Sequence, residues 1–128
     1  MPLKKSLADL ASEARAKVHE IDIDELAGEM TEALVIDVRE PDERARGYIP
    51  NSISIPRGVL ERDIEKIAFN GHAIDADLAK PIVCYCGGGS RSLLAARSLQ
   101  EMGFTNVASL AGGFGAWGRS GQPVAIDR

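Results

Sequence analysis

A cysteine, three glycines and an arginine lie close together in the segment Cys86-Gly87-Gly88-Gly89-Ser90-Arg91-Ser92. An apolar run, Ile82 to Tyr85, precedes it and a helical apolar repeat follows it, so a loop between a strand and a helix is predicted. Glycine adopts backbone dihedrals that other residues avoid, and successive N–H groups can then turn inward around an anion. The following helix adds unpaired N–H groups and the positive end of its dipole. The pattern predicts an anion-binding loop with Cys86 at its entrance.

Negative charge is favoured in such a loop, so the thiolate of Cys86 is favoured over its thiol. Two alternatives remain: the glycines could form a flexible linker, or Cys86 could be an inert buried residue. A linker rarely joins a buried strand directly to an amphipathic helix, and open α/β sheets bind ligands at the carboxyl ends of their strands. Cys84, two residues earlier on the same strand, is predicted to pack in the core. A role for Cys84 in resolving an oxidised Cys86 stays open.

A second polar pair, Asp37 and Arg39, lies at the end of the apolar run Ala33 to Val38. A carboxylate within a buried strand needs a hydrogen bond or an ion pair, and Arg39 is the nearest candidate. A structural role for this pair is favoured over a catalytic one.

Hydrophobic periodicity and turn residues predict the remaining elements. Strands that alternate with helices predict an α/β fold with a parallel sheet covered on both faces. The elements are a helix with the stripe Leu3, Leu7, Leu10, Ala14 and Val18, a strand from Val18 to Ile21, a helix capped by Asp22 and running to Met30, a strand from Ala33 to Val38, a helix from Pro41 to Arg46, a strand from Ser52 to Ile55, a helix through Val59, Leu60, Ile64 and Ile67, a strand from Ile82 to Tyr85, a helix from Arg91 to Met102 ended by Gly103, a strand from Asn106 to Leu110, the turn Gly112-Gly113, and a helix from Phe114 to Trp117 that buries both aromatic residues.

The predicted organisation has three parts. Residues 1–17 form an N-terminal amphipathic helical extension, which packs on the outside of the domain or offers a partner surface. Residues 18–121 form the domain, and residues 122–128 form a loosely ordered tail. Phe69 to Lys80 is predicted as mostly loop, with His72 exposed and without a function.

Composition narrows the function classes. The 128 residues, 45% hydrophobic and 27% charged, suit one globular domain, and the net charge of −4 indicates no nucleic acid or membrane partner. Two cysteines one residue apart cannot form an ordinary disulfide along a strand, which favours a reducing, cytoplasmic location. No apolar run reaches membrane-spanning length and no signal peptide is predicted. A metal site through Cys84, Cys86, His19 or His72 is the weakest alternative, so neither metal nor cofactor is predicted.

Four segments, in order, resemble the rhodanese family of sulfurtransferases in its single-domain form. The resemblance implies a three-layer rhodanese-like α/β domain with a central, mainly parallel five-stranded sheet flanked by helices. Tyr48 replaces the usual histidine of the family, Asn51 replaces the usual glycine, and bare glycines follow the cysteine at positions that partly set donor selectivity. The segments are Leu34 to Pro41, similar to the Asp-x-Arg strand; Gly47 to Pro56, similar to Gly-His-Ile-Pro-Gly-Ala; Cys86 to Ser92, similar to the active loop Cys-x-x-Gly-x-Arg; and Gly103 to Val107 with Leu110 to Trp117, similar to the C-terminal end.

The resemblance implies a thiosulfate sulfurtransferase-like enzyme in which Cys86 attacks the outer sulfur of thiosulfate or a similar anionic donor. The resulting persulfide passes its sulfur to cyanide or to a thiol, including a protein acceptor. Backbone amides from Gly87 to Ser92 would hold the charged sulfur, and Arg91 would shape the loop and attract the donor. Asp37 and Arg39 would brace the neighbouring strand end. Thiosulfate and mercaptopyruvate are not distinguished.

Two rival functions remain at this stage. One is a non-catalytic rhodanese-like interaction or sulfur-carrier module, because some members of the family lack the cysteine. The other is a cysteine phosphatase or arsenate reductase. The loops of those enzymes resemble Cys-x5-Arg, which is one residue longer than the spacing between Cys86 and Arg91.

Overall fold

The computed structural model describes residues 2–29, 32–68 and 77–127, in which a five-stranded sheet lies between two layers of helices. The strand order is β1-β5-β4-β2-β3, and each neighbouring pair is parallel. The elements in chain order are α1 (Leu7–Arg15), β1 (His19–Ile21), α2 (Ile23–Glu29), β2 (Leu34–Asp37), α3 (Pro41–Arg44), β3 (Ile53–Ser54), a 3-10 helix (Arg57–Val59), α4 (Leu60–Ala68), β4 (Ile82–Tyr85), α5 (Ser90–Glu101), β5 (Val107–Leu110) and α6 (Gly113–Arg119).

Side chains alternate along each strand and divide the core between the two faces of the sheet. From β4, Ile82 and Cys84 join one cluster together with Cys86, and that cluster receives α1, α4 and α5. Val83 and Tyr85 join the other cluster, which receives α2 and α6. This arrangement confirms the predicted three-layer α/β fold, and the cluster assignments confirm that Cys84 packs in the core.

The predicted elements are present, and most differences lie at their ends. The strand Ile82 to Tyr85 has its predicted bounds, and the helix after it begins one residue early, at Ser90. The edge strand β3 is shorter than predicted because only Ile53 and Ser54 pair with β2. Gly103 ends α5 with a positive φ of 111°, as predicted. Phe69 to Ala76, including His72, lies outside the described residues.

The apolar stripe predicted for α1 is wrong in part. The residues of α1 that are buried are Ala11 and Ala14, whereas Leu3, Leu7 and Leu10 are 79%, 55% and 40% exposed. The small side chains allow α1 to pack closely on α5, whereas the leucines stay exposed. Residues 2–17 therefore contribute to the core through Ala11 and Ala14.

The prediction of a loosely ordered tail is wrong for residues 123–127. Tyr48 and Ala125 exchange two backbone hydrogen bonds of 2.9 Å. The indole Nε1 of Trp117 donates to the carbonyl of Pro123 at 2.8 Å, and the Tyr48 hydroxyl donates to Asp127 at 2.6 Å. These bonds hold the tail beside Trp117 and beside the Gly47 to Asn51 turn. Among the described residues, no helix has the length and apolarity needed to cross a bilayer.

Replacing Ala14 by Glu tests the contact between α1 and α5. We expect the free energy of unfolding in urea to fall by about 2 kcal/mol or more, because Ala14 is only 3% exposed and the carboxylate would lose water. Leu7→Glu is the matched control on the same helix, since Leu7 is already 55% exposed. Equal stability of A14E and the wild-type chain would contradict the packing of α1 described above.

Candidate active site

Cys86 lies directly after β4, at the carboxyl edge of the sheet, and is only 1% exposed. Its sulfur accepts a hydrogen bond from the Gly89 N–H, with 3.1 Å between Sγ and N. The hydroxyl of Ser92, in the first turn of α5, lies 3.5 Å from the same sulfur. The loop therefore folds back over the thiol, with one backbone donor already directed at it.

The backbone of the loop is held from outside by the first turn of α6. The carbonyls of Cys86 and Gly87 accept hydrogen bonds from the N–H groups of Phe114 and Gly115 at 2.7 and 3.0 Å. Because C=O and N–H point in opposite directions across a trans peptide, the N–H groups of Gly87 and Gly88 point away from α6. The backbone N–H groups that have no hydrogen-bond acceptor among the described residues include those of Gly87, Gly88, Ser90, Arg91 and Ser92. They are the donors that the sequence predicts for an anion.

Gly113 permits this close approach of α6. Its φ is +59°, and a Cβ at this position would lie 2.5 Å from the Cys86 oxygen and 2.7 Å from the Gly87 oxygen. Any side chain would therefore push the first turn of α6 off the loop. In the sequence Gly112-Gly113 indicates only a turn, because its contact with the loop joins residues that are distant in the chain.

Arg91 is paired with Glu43 of α3. Its two terminal nitrogens donate to the two carboxylate oxygens at 2.8 and 3.0 Å. The hydrogen bonds from Arg91 lower the pKa of Glu43 to about 2, and the hydrogen bond to Glu43 raises the pKa of Arg91. The guanidinium lies across Gly87, with Nη2 3.3 Å from where a Cβ would stand. The charge predicted to attract a donor is therefore already balanced by the carboxylate of Glu43, which no local sequence pattern indicates as a partner.

Asp37 and Arg39 form a buried ion pair at the end of β2. Asp37 is 0% exposed, and its carboxylate accepts from the backbone N–H, Nε and Nη2 of Arg39 at 2.9–3.0 Å. Arg44 adds a fourth donor at 3.1 Å. The guanidinium of Arg39 also donates to the Gly47 carbonyl at 2.8 Å and lies over the Phe114 ring, 4.3 Å from its centroid. Since these groups bond one another, the geometry accords with a structural role.

A chain of buried hydroxyls lies behind the thiol. Ser92 Oγ lies 3.0 Å from the Gly89 carbonyl and 2.8 Å from Ser109 Oγ, and both serines are 0% exposed. Ser109, on β5, was not singled out in the sequence, where a serine in a strand gives no sign of its partner. Cys84 is 0% exposed, and burial raises the pKa of its thiol to about 12.

In residues 2–29, 32–68 and 77–127, no group of three or more His, Cys, Asp or Glu side chains could hold a metal ion. Asn51, which stands in place of the usual glycine, has a φ of 68°, a conformation that asparagine tolerates better than most residues. The turn after Gly47 therefore keeps a left-handed residue at this position.

A parallel α/β sheet with a cysteine in a glycine-rich loop at its carboxyl edge defines a class that includes sulfurtransferases and cysteine phosphatases. Residues 22–120 match the family described as the rhodanese-like domain. The chain belongs to that family.

Relatives and solved structures agree with this assignment. A sulfurtransferase of Allochromatium vinosum is 31% identical over 110 residues, which is 84% of this chain and 94% of that protein. The thiosulfate sulfurtransferase GlpE of Coxiella burnetii is 34% identical over 84 residues, 66% of this chain and 70% of that protein. A structure from Rhodopseudomonas palustris, of unknown function and described as a possible tyrosine phosphatase, has a TM-score of 0.83 at 33% identity and covers 98% of both chains.

Gly113→Ala tests the support that α6 gives the loop. We expect a loss of about 1–3 kcal/mol in the free energy of unfolding in urea, because the new methyl meets two carbonyl oxygens and alanine is strained at this φ. Gly118→Ala is the matched control in the same helix. A Cβ there meets nothing within 4 Å, so the substitution should be neutral or stabilise by up to about 1 kcal/mol. Equal effects of the two substitutions would contradict the contact described at Gly113.

Glu43→Gln tests the ion pair through its pH dependence. The pKa of Glu43 in the folded chain, about 2, lies below the ordinary 4.5, so its ionic contribution is complete above pH 4.5 and is lost as the pH falls towards 2. The wild-type chain should be more stable to urea than E43Q at about pH 6, and the difference should shrink at about pH 3. Glu65→Gln, at an exposed position, should show no such pH-dependent difference. A constant difference between wild type and E43Q would contradict the ion pair.

Proposed function

We propose that this chain is a sulfurtransferase in which Cys86 takes the outer sulfur of thiosulfate or a similar donor and passes it to cyanide or a thiol. The observation that carries this proposal is the position of Sγ, which accepts the Gly89 N–H inside a loop with further free N–H groups. Membership of the rhodanese-like domain family and the sulfurtransferases among the relatives support sulfur transfer in general. The choice of donor and acceptor is our proposal.

The proposed chemistry has two balanced steps. In the first, the Cys86 thiolate attacks the outer sulfur of thiosulfate, a sulfur–sulfur bond forms, and sulfite leaves with the electron pair of the broken bond. In the second, the carbon of cyanide attacks the terminal sulfur, thiocyanate leaves, and the thiolate returns. The Cys86 thiolate and the persulfide that forms from it each carry one negative charge, which the loop must stabilise.

The loop suits an anion that extends from the Cys86 sulfur. Backbone N–H groups supply donors of fixed direction, which stabilise charge without reorganising during the reaction. One extra sulfur needs little space, and because glycine has no side chain the loop backbone lies close to Sγ, with the Gly89 nitrogen 3.1 Å away. Because Cys86 is 1% exposed while Gly88 is exposed, we propose that the donor reaches the sulfur past Gly88 as the loop yields.

The Glu43–Arg91 pair gives Arg91 a limited part in this proposal. A guanidinium already bonded to a carboxylate attracts a dianion less than a free one does, because the two charges largely cancel at a distance. We propose that Arg91 mainly covers the loop beside Gly87, and that backbone dipoles supply most of the attraction for the donor. Asp37 and Arg39 hold the strand end and take no part in the chemistry.

The similarity to a possible tyrosine phosphatase makes phosphate-ester hydrolysis the second candidate. Four residues separate Cys86 from Arg91, one fewer than in the Cys-x5-Arg loops that bind a tetrahedral oxyanion. Both terminal nitrogens of Arg91 are also engaged by Glu43 and are not directed at the sulfur. These two features favour sulfur transfer.

A cytoplasmic location and a protein sulfur acceptor remain predictions.

Intact-mass analysis after incubation with thiosulfate tests the proposed function. The wild-type chain should gain the mass of one sulfur atom and lose it on treatment with cyanide, with thiocyanate as the product. Cys86→Ala should show neither change. Cys84→Ala is the control cysteine variant and should still be loaded, because Cys84 packs in the core.

Three results would overturn the proposal. Sulfur uptake that persists in C86A would exclude Cys86 as the carrier. Absence of uptake by the wild-type chain from thiosulfate and mercaptopyruvate would favour an interaction module. Steady turnover of an aryl phosphate that depends on Cys86 would assign the loop to a phosphatase.

A further inference from the structure

The hydroxyl of Ser109 has one hydrogen-bond partner among the described residues, which is Ser92 Oγ at 2.8 Å. Both hydroxyls are 0% exposed, so neither is hydrated from the surface. Ser109 lies on β5 and belongs to neither the loop nor the helix that carries Arg91. A buried polar side chain with a single partner behind the thiol calls for a physical account.

The donors and acceptors around Ser92 Oγ explain why a hydroxyl is buried at Ser109. Its three neighbours are Cys86 Sγ at 3.5 Å, the Gly89 carbonyl at 3.0 Å and the Ser109 hydroxyl. Ser92 has one proton to donate and two lone pairs. The Gly89 carbonyl can only accept a hydrogen bond. An ionised sulfur can also only accept, so in that state Ser109 is the one neighbour able to donate to Ser92.

The direction of these bonds therefore depends on the state of the sulfur. When Cys86 is a thiol, its S–H can donate a hydrogen bond to Ser92 Oγ, and the Ser92 hydroxyl can keep its own hydrogen bond to the Gly89 carbonyl. When the sulfur is an anion, the Ser92 proton stabilises it only by turning from that carbonyl to Sγ. A hydrogen bond from the Ser109 hydroxyl to Ser92 Oγ then polarises the Ser92 O–H bond, which strengthens Ser92 as a donor.

We infer that Ser109 is a positioning residue for the sulfur chemistry, which acts by donating to Ser92 so that Ser92 can donate to the anionic sulfur of Cys86. This inference rests on the proposed function for its role in sulfur transfer. Its effect on the Cys86 thiolate can be measured without any sulfur donor.

The experiment is a pH titration of the thiolate by its ultraviolet absorbance, with the matching Cys86→Ala chain subtracted at each pH. Cys84 does not interfere, because its pKa of about 12 keeps it protonated over the working range. Ser109→Ala should raise the midpoint of the Cys86 transition by about 0.2–0.5 pH unit, because Ser92 loses the hydrogen bond that polarises its hydroxyl as a donor to the sulfur. Ser109→Thr keeps the hydroxyl and should restore the midpoint of the wild-type chain.

Two further variants separate positioning from a general loss of packing. Ser52→Ala removes another buried serine hydroxyl, 8% exposed and bonded to Tyr85, and should leave the midpoint unchanged. Because Ser109 acts through Ser92, S109A should have no further effect in a chain that already carries S92A. The persulfide formed with thiosulfate should also be lost faster from S109A than from S109T.

The inference is overturned if S109A leaves the midpoint in place, if S109T shifts it as far as S109A does, or if S52A shifts it equally. It is also overturned if the effects of S92A and S109A simply add. A wild-type chain that takes no sulfur from any donor, yet shows the S109A shift, would reject the proposed function and leave the effect of Ser109 on the thiolate standing.

Discussion

The Cys86 sulfur is almost wholly enclosed, and the chemistry that we propose requires it to carry negative charge, so the structure depends on how this charge is tolerated. Moving an anion out of water costs on the order of several kcal/mol, even after the protein relaxes, unless hydrogen-bond donors replace the lost water. Around Cys86 those donors belong to the backbone, beginning with the Gly89 N–H at 3.1 Å. Backbone donors cannot be rotated independently of the chain, so the path of the loop decides whether the charge is tolerated.

That path is held from the side of α6. The first turn of α6 binds the carbonyls of Cys86 and Gly87, which leaves the opposite edges of those peptides to the anion. Arg39 connects this support to β2, because its guanidinium is bonded to the buried Asp37 and lies over Phe114 of α6. The two segments that resemble the Asp-x-Arg strand and the C-terminal end of the family thus meet at one place, behind the loop. We propose that together they hold the peptide planes beside the sulfur.

How far the sequence predicts this arrangement depends on whether the signal is local. The order strand, glycine loop, helix is encoded within Ile82 to Met102, and so β4, Cys86 and α5 are found as predicted. Contacts between distant residues leave no such signal. Glu43 and Ser109 were not predicted as site residues, because no pattern in the residues next to them in the sequence indicates Arg91 or Ser92 as their partners. For α1, periodicity correctly predicted a helix but predicted that its leucine face is buried, whereas the close approach of α5 favours burial of the alanines.

The pairing of Arg91 with Glu43 also limits what charged side chains can contribute at the loop. A bidentate pair presents little net charge at a distance, whereas the N–H groups of Gly87, Gly88 and residues 90–92 have no acceptor among the described residues. The chain as a whole carries a net charge of −4, which does not help it to attract anions. The stabilisation of a charged sulfur must then come from dipoles within hydrogen-bonding distance, whose effect falls off quickly beyond the first turn of the helix. Such a site discriminates by where the anion can place its charge, and it favours a donor whose reacting atom can reach the bottom of the loop over one that merely carries more charge.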